Sequence, residues 1–374
     1  LKNGKKGTDA RRGNAGGEGM NNIKGQPYTF QKPELTAELK AFRDRLEAKS
    51  VTPLWEVFGK LATPEPRTRC VPAIWRYDEI RSMLLEAAQL ITPKEAERRV
   101  LILENPGLRG ECWITESLFA AVQSVLPGEL ARAHRHTASA FRFVLEGDGG
   151  GYTSVNGERT LMHPGDFVLT PSWTFHDHGN VGSEPTIWMD GLDSPFVRMM
   201  GVSFMEQWPD PEYPLSHEER DSEMRYGHNL LPVDCPMAGG ASPIVNYPYA
   251  RSRETVEQLS RNGPIDACHG TKLRFVNPTT GGYPMPTIAA FLQRLPAGFS
   301  GRRYRSTDGT IFSPTEGSGR SQIGDVSVEW KERDVFVVPP WYPVSHETEK
   351  GAVLFSFSDR AAQKALGFWR EERI

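Results

Sequence analysis

The segment from Asp166 to Trp173 returns without a gap as Asp334 to Trp341, and this repeat constrains the fold more than any other feature of the chain. Phe167-Val168-Leu169-Thr170-Pro171 is matched by Val335-Phe336-Val337-Val338-Pro339. The correspondence runs upstream: Asn105-Pro106 has a counterpart in Asn277-Pro278, and Leu126-Pro127-Gly128 in Leu295-Pro296-Ala297-Gly298, with one residue inserted. Gln123 and Gln293 stand at equal distances before the matched glycines Gly128 and Gly298. A duplicated unit is the economical explanation. Its texture is β: short apolar or alternating runs, from Leu118 to Val125, Arg142 to Leu145, Gly151 to Val155 and Asp166 to Leu169, punctuated by glycine and proline.

Outside the repeat the chain reads differently. Residues 1–30, with a short basic run from Lys2 to Arg12, read as a disordered tail. Leu35, Leu39, Phe42 and Leu46 mark an amphipathic helix after Pro33. Further helices are expected from Ile80 to Leu90 and from Pro93 to Val100, the latter opened by Thr92 with Glu95 closing a capping box. Residues 195–260, rich in proline and charge, read as an irregular connection. The expected division is a helical region at 31–104, a barrel at 105–194, a connection at 195–271, a second barrel at 272–358 and a C-terminal helix at 359–374.

A formal charge of -3 offers no broad positive field for nucleic acid. Cys70, Cys112, Cys235 and Cys268 lie far apart without CxxC spacing, which speaks against thiolate zinc and against a disulfide framework. No apolar run is long enough to cross a bilayer. A reduced, cytoplasmic enzyme is expected.

Four of the nine histidines fall in two tight pairs, His134 with His136 and His176 with His178. On a strand, residues i and i+2 face the same way, so each pair presents two imidazoles to one side. Metal ligation is one reading; a buried hydrogen-bond network is the other. The repeat weighs between them. Opposite His134, His136 and His176 stand Tyr304, Ser306 and Val344, whereas His178 is matched by His346. Three imidazoles vanish together while their scaffold survives, which favours a metal site of three histidines in the first copy alone.

The first copy resembles the two cupin motifs, Gly-x5-His-x-His from Gly128 and Gly-x5-Pro-x-Gly-x2-His-x3-Asn from Gly165, with Trp173 at the second motif's internal glycine. The usual glutamate after the second histidine is missing. Further segments narrow the likeness: Glu97-Arg98-Arg99-Val100, Asn105-Pro106-Gly107, Phe141-Arg142-Phe143-Val144-Leu145, Trp188-Met189-Asp190-Gly191 and Asn277-Pro278-Thr279-Thr280-Gly281-Gly282. Together they resemble the gentisate 1,2-dioxygenase family, which includes salicylate and 1-hydroxy-2-naphthoate dioxygenases.

That resemblance implies an all-β bicupin, two double-stranded β-helix (jelly-roll) barrels with N-terminal helices, the second barrel metal-free. It implies one Fe(II) per subunit on His134, His136 and His176, with O2 as co-substrate. The implied reaction is extradiol-type cleavage of gentisate between its carboxylate- and hydroxyl-bearing carbons, giving maleylpyruvate. Salicylate, 5-substituted salicylates and 1-hydroxy-2-naphthoate are alternative substrates. A non-enzymatic bicupin that binds a small acid is the alternative from another class. Arg98 and Arg142 resemble the family's carboxylate-binding arginines, for which a guanidinium fork is suited. His178 is expected to be catalytic without ligating, polarising a phenolic oxygen or bound dioxygen, with a structural hydrogen bond as the other reading. Asp190 and Gln123 are expected in the pocket, Asp190 as acceptor for a second ring hydroxyl. Phe119 and Ala121 sit where salicylate-cleaving relatives resemble Trp-x-Gly, and the added methyl trims room beside the ring. The family implies a homotetramer.

Overall fold

The computed structural model describes residues 34–96, 98–235 and 240–374. The tail 1–30 with its basic run, Pro33 and Glu97 lie outside the described residues. The chain divides into two compact units, residues 1–66 and 67–374. In the first, helices Ala37–Glu47 and Leu54–Leu61 are joined by an Arg43–Glu56 ion pair, and Thr36 caps the first helix by accepting the Leu39 amide.

The second unit holds two barrels. Around the first, six strands run in the order Asn246–Tyr247, Phe167–Thr170, Ala140–Glu146, Thr186–Leu192, Phe119–Val125, Arg99–Ile102. The facing sheet runs Met205–Gln207, Leu130–His136, His176–Asn180, Gly151–Val155, Glu158–Leu161. The second barrel repeats this register. Ser321 pairs with His346 as Thr153 pairs with His178, and Tyr304 pairs with Val344 as His134 pairs with His176. The alignment drawn from the Pro171 and Pro339 segments is therefore the structural one.

Alternation along the strands sorts side chains between two interiors. Phe141, Phe143 and Leu145 point out of the first barrel into the core it shares with the second, where the Phe143 ring stacks on Phe355 at 3.9 Å. Arg142 and Val144 point into the lumen. A single strand thus supplies both the joint between the barrels and a buried cation in the lumen.

Three expectations need correction. The helix at Pro93 stops at Ala96: its Thr92–Glu95 capping box forms, but Arg99–Ile102 is a strand paired with Phe119–Val125, and Ala73–Trp75 is a strand as well. The expected helix from Pro93 to Val100 is cut short because ladder hydrogen bonds at an open sheet edge outweigh weak local helix propensity. Residues 195–260 are not an irregular connection. They carry strand Met205–Gln207, which pairs with the His134–His136 segment, and the 14-residue helix Tyr249–Asn262. The C-terminal helix covers only Arg360–Ala365; Glu371–Arg373 is a strand on Tyr304–Ser306, the counterpart of Met205–Gln207.

The repeat also begins earlier than its sequence match. Ala73–Trp75, which precedes the first barrel, pairs with Val335–Val338 of the second, while Asn246–Tyr247 pairs with Phe167–Thr170 of the first. A helix follows each exchanged strand. The Tyr77 amide donates to Asp334 Oδ1 at 2.9 Å and the Tyr249 amide to Asp166 Oδ1 at 2.8 Å. Farther along, Tyr77 and Arg81 bind Glu146, and Tyr249 and Arg253 bind Glu316.

Candidate metal centre

Strand Leu130–His136 turns His134 and His136 to the lumen of the first barrel, and His176 opens the neighbouring strand. A turn couples them. Trp173 takes a left-handed backbone, φ 62°, at the position where the motif carries glycine, and its amide donates to the His136 carbonyl at 2.8 Å. Trp341 repeats this with φ 65° and the Ser306 carbonyl at 2.7 Å. The guanidinium of Arg135 lies 4.4 Å from the Trp173 ring, which helps hold the strained residue in place.

Each imidazole is oriented the same way. Nδ1 of His134 lies 2.9 Å from the Arg132 carbonyl, that of His136 2.8 Å from Ala138, and that of His176 2.9 Å from Thr174. A carbonyl only accepts, so Nδ1 carries the proton in all three and Nε2 keeps its lone pair. The ligating atoms lie within 4.8 Å of one another, and His176 Nε2 is buried without a protein partner. Burial pushes His134 down to about 3, with Arg98 adding to the effect, and His136 down to about 4. His176 falls well below its usual value, again chiefly through burial. The rings therefore stay neutral at physiological pH, as metal ligands must. Among the described residues these three form a group able to hold a metal ion.

His178 is placed differently. Arg142 Nη2 donates to its Nε2 at 2.8 Å, and its Nδ1 meets the Thr153 hydroxyl at 2.9 Å, so both ring nitrogens are engaged. Arg142 is buried, with Nη1 on the Thr170 hydroxyl at 2.6 Å and Nε 3.6 Å from Asp190 Oδ1. Asp190 accepts from the Trp188 indole at 2.9 Å. Burial pushes its carboxyl up to about 6 against the opposing pull of Arg142.

Ladder register puts Ala121, Asp190 and Arg142 side by side on three adjacent strands. Phe119 is opposite Leu192, and Gln123 is buried opposite Trp188 with its amide nitrogen unpaired. Arg98 reaches the centre, its Nη2 2.9 Å from His134 Nε2. Its neighbour Arg99 turns away to Glu129 at 2.6 Å. Thr153, Thr170 and Trp188 were not anticipated as site residues. A signal existed for Thr170 and Trp188: the second copy has Val338 and Leu354 at their register positions, a polar or bulky group where the repeat needs only an apolar one.

Two jelly-roll barrels with one three-imidazole cluster define a bicupin of the metal-dependent kind. The cupin domain family matches residues 121–192. The chain is 52% identical to a gentisate 1,2-dioxygenase of Aquipseudomonas alcaligenes, over 92% of this chain and 99% of that one. It is 30% identical to a 5-aminosalicylate 1,2-dioxygenase of a Comamonas species, over 92% of each. Among solved structures, salicylate 1,2-dioxygenase of Pseudoaminobacter salicylatoxidans, as its adduct with gentisate, superposes with a TM-score of 0.85 at 35% identity, covering 91% of this chain and 95% of the other. The chain belongs to the gentisate 1,2-dioxygenase family of ring-cleaving bicupin enzymes.

Proposed function

We propose that this enzyme is an Fe(II)-dependent gentisate 1,2-dioxygenase, with His134, His136 and His176 holding the iron. The observation that carries the reading is the lumen layer in which Arg142 and Asp190 stand beside three neutral imidazoles. Bound there, Fe(II) supplies electron exchange between an aromatic acid and dioxygen. Three neutral ligands leave its charge uncompensated, which suits a dianionic substrate.

The chain's own residues bind and orient that substrate. Arg142 and Arg98 offer guanidinium donors to the carboxylate, and Thr170 and His178 fix the fork of Arg142. Asp190 accepts a hydrogen bond from a second ring hydroxyl. Ala121 and Phe119 bound the ring's edge, and Gln123 offers its unpaired amide. His178 acts through Arg142. The ring opens between the carboxylate- and hydroxyl-bearing carbons, and both oxygen atoms enter an oxo-dicarboxylic acid, maleylpyruvate.

The barrel of residues 105–194 is the catalytic one in this reading, and that of 272–358 is metal-free. We assign a homotetramer with one iron per subunit, working in the reducing cytoplasm, where Cys70, Cys112, Cys235 and Cys268 remain the free thiols found here. A substrate panel tests the assignment. Gentisate, whose para hydroxyl eases ring oxidation, should turn over faster than salicylate or 1-hydroxy-2-naphthoate. Salicylate turnover equal to or above that of gentisate would reverse the order.

A further inference from the structure

The second lumen keeps the frame of the first and changes its contents. Register puts Phe291 in the place of Ala121, Phe312 in that of Arg142, Ser356 in that of Asp190 and Tyr304 in that of His134. Gln293 and His346 retain the positions of Gln123 and His178. Lys272, beside Gln293 on the edge strand Thr271–Arg274, stands where the first barrel has Val100.

Lys272 is half-buried, with its ammonium 4.7 Å from the centre of the Phe291 ring and 5.7 Å from that of Phe312. The acids that influence it are committed elsewhere. Asp308 is bound by Arg360 at 3.0 Å and by the Trp369 indole at 2.9 Å, while Glu371 faces His269 at 3.8 Å and Arg373 at 3.6 Å. Burial, reinforced by Arg360 and opposed by Asp308 and Glu371, pushes the Lys272 amine down to about 7.

The polar atoms around it lack protein partners. Both amide atoms of Gln293, the Ser356 hydroxyl and His346 Nε2 are buried and unpaired, although buried polar atoms are almost always hydrogen-bonded. The other side of the His346 ring is engaged. The Trp330 indole donates to Ser321 Oγ at 2.8 Å, the same oxygen lies 2.8 Å from His346 Nδ1, and Nε2 of that ring is left to face the lumen. Lys272, Gln293 and Ser356 thus bring donors to neighbouring register positions of one sheet, and His346 leaves its Nε2 unpaired in the same barrel.

We infer that the second lumen is a binding site for a small carboxylate anion, held by Lys272, Gln293, Ser356 and His346 between the rings of Phe291 and Phe312. The donor set and the uncompensated ammonium select an anion. The Phe291 ring, in place of the Ala121 methyl, narrows this lumen relative to the first and favours a carboxylate of acetate size over an aromatic acid. The site lies in the barrel without the histidine triad and does not depend on the substrate assigned to the first.

Trifluoroacetate titrated into the iron-loaded full chain, followed by its fluorine resonance, tests this. Saturable binding is expected in the parent. Lys272→Met should weaken it by about tenfold or more, the scale of a lost charge-assisted hydrogen bond, with iron content unchanged. Ser356→Ala removes one donor without altering charge and should weaken binding severalfold, which keeps the test informative if Lys272→Met does not fold. Absence of binding to the parent, or unchanged binding in the folded variants, overturns the inference and leaves water as the occupant.

Discussion

Arg142 and His178 share a hydrogen bond of 2.8 Å in which the guanidinium donates to the imidazole Nε2, the atom a metal would need. His178 stands outside the group of ligand atoms that lie within 4.8 Å of one another, and both of its ring nitrogens are engaged inside the barrel; in the function proposed above it braces Arg142. His178→Ala should therefore retain stoichiometric iron while KM for gentisate rises roughly ten- to a hundredfold, the range for a lost hydrogen bond to a charged group. Metal analysis beside steady-state kinetics checks this. Iron loss from a folded variant would make His178 a ligand.

Arg142→Ala should weaken substrate capture more than His178→Ala, and Arg142→Lys should recover little of it, because a single ammonium cannot reproduce the fork held by Thr170 and His178. The KM and kcat of both variants decide the point. Unchanged kinetics in Arg142→Ala would remove this residue from the site.

His346 should shape acid stability without touching iron. Burial pushes its folded-state value down to about 3 from 6.5, so the native protein binds fewer protons than the unfolded chain between those limits. Stability is thus unaffected above pH 6.5 and is lost as pH falls toward 3. His346→Gln should flatten that acid limb by up to about 1.4 kcal/mol per pH unit. Denaturant melts across the pH range, with iron content measured alongside, test both halves of the claim.

Asp334 is buried and accepts from Arg76, the Tyr77 amide and the Lys331 amide at 3.0, 2.9 and 3.1 Å. Asp334→Ala should cost roughly 3 kcal/mol, since it strands a buried amide and part of an ion pair. Equilibrium unfolding measures it. A loss under about 0.5 kcal/mol, the ordinary surface value, would show that the exchanged helix does not depend on this cap.

The barrels and the ligand triad were legible because they rest on local signals: strand alternation, glycine turns, and histidines two apart. The duplicated Asp166 and Asp334 were visible as a match, but not their task, since each caps a helix more than eighty residues away in sequence. The exchanged strands Ala73–Trp75 and Asn246–Tyr247 are only three and two residues long, too short for a period to show. Thr153 and Thr170 are ordinary strand residues until Arg142 and His178 are brought against them. Of the adjacent Arg98 and Arg99, only the fold shows which turns away from the lumen: Arg99 pairs with Glu129, a partner from another strand connection.

The most direct test of the central claim is aerobic turnover of gentisate in 18O2 after anaerobic loading with Fe(II), with the ring-opened product read by mass spectrometry. Uptake of one iron per chain, lost in His176→Ala, and a product carrying both labelled oxygen atoms are expected. Failure of the folded protein to bind iron, or iron-loaded protein that leaves the ring intact, would contradict it.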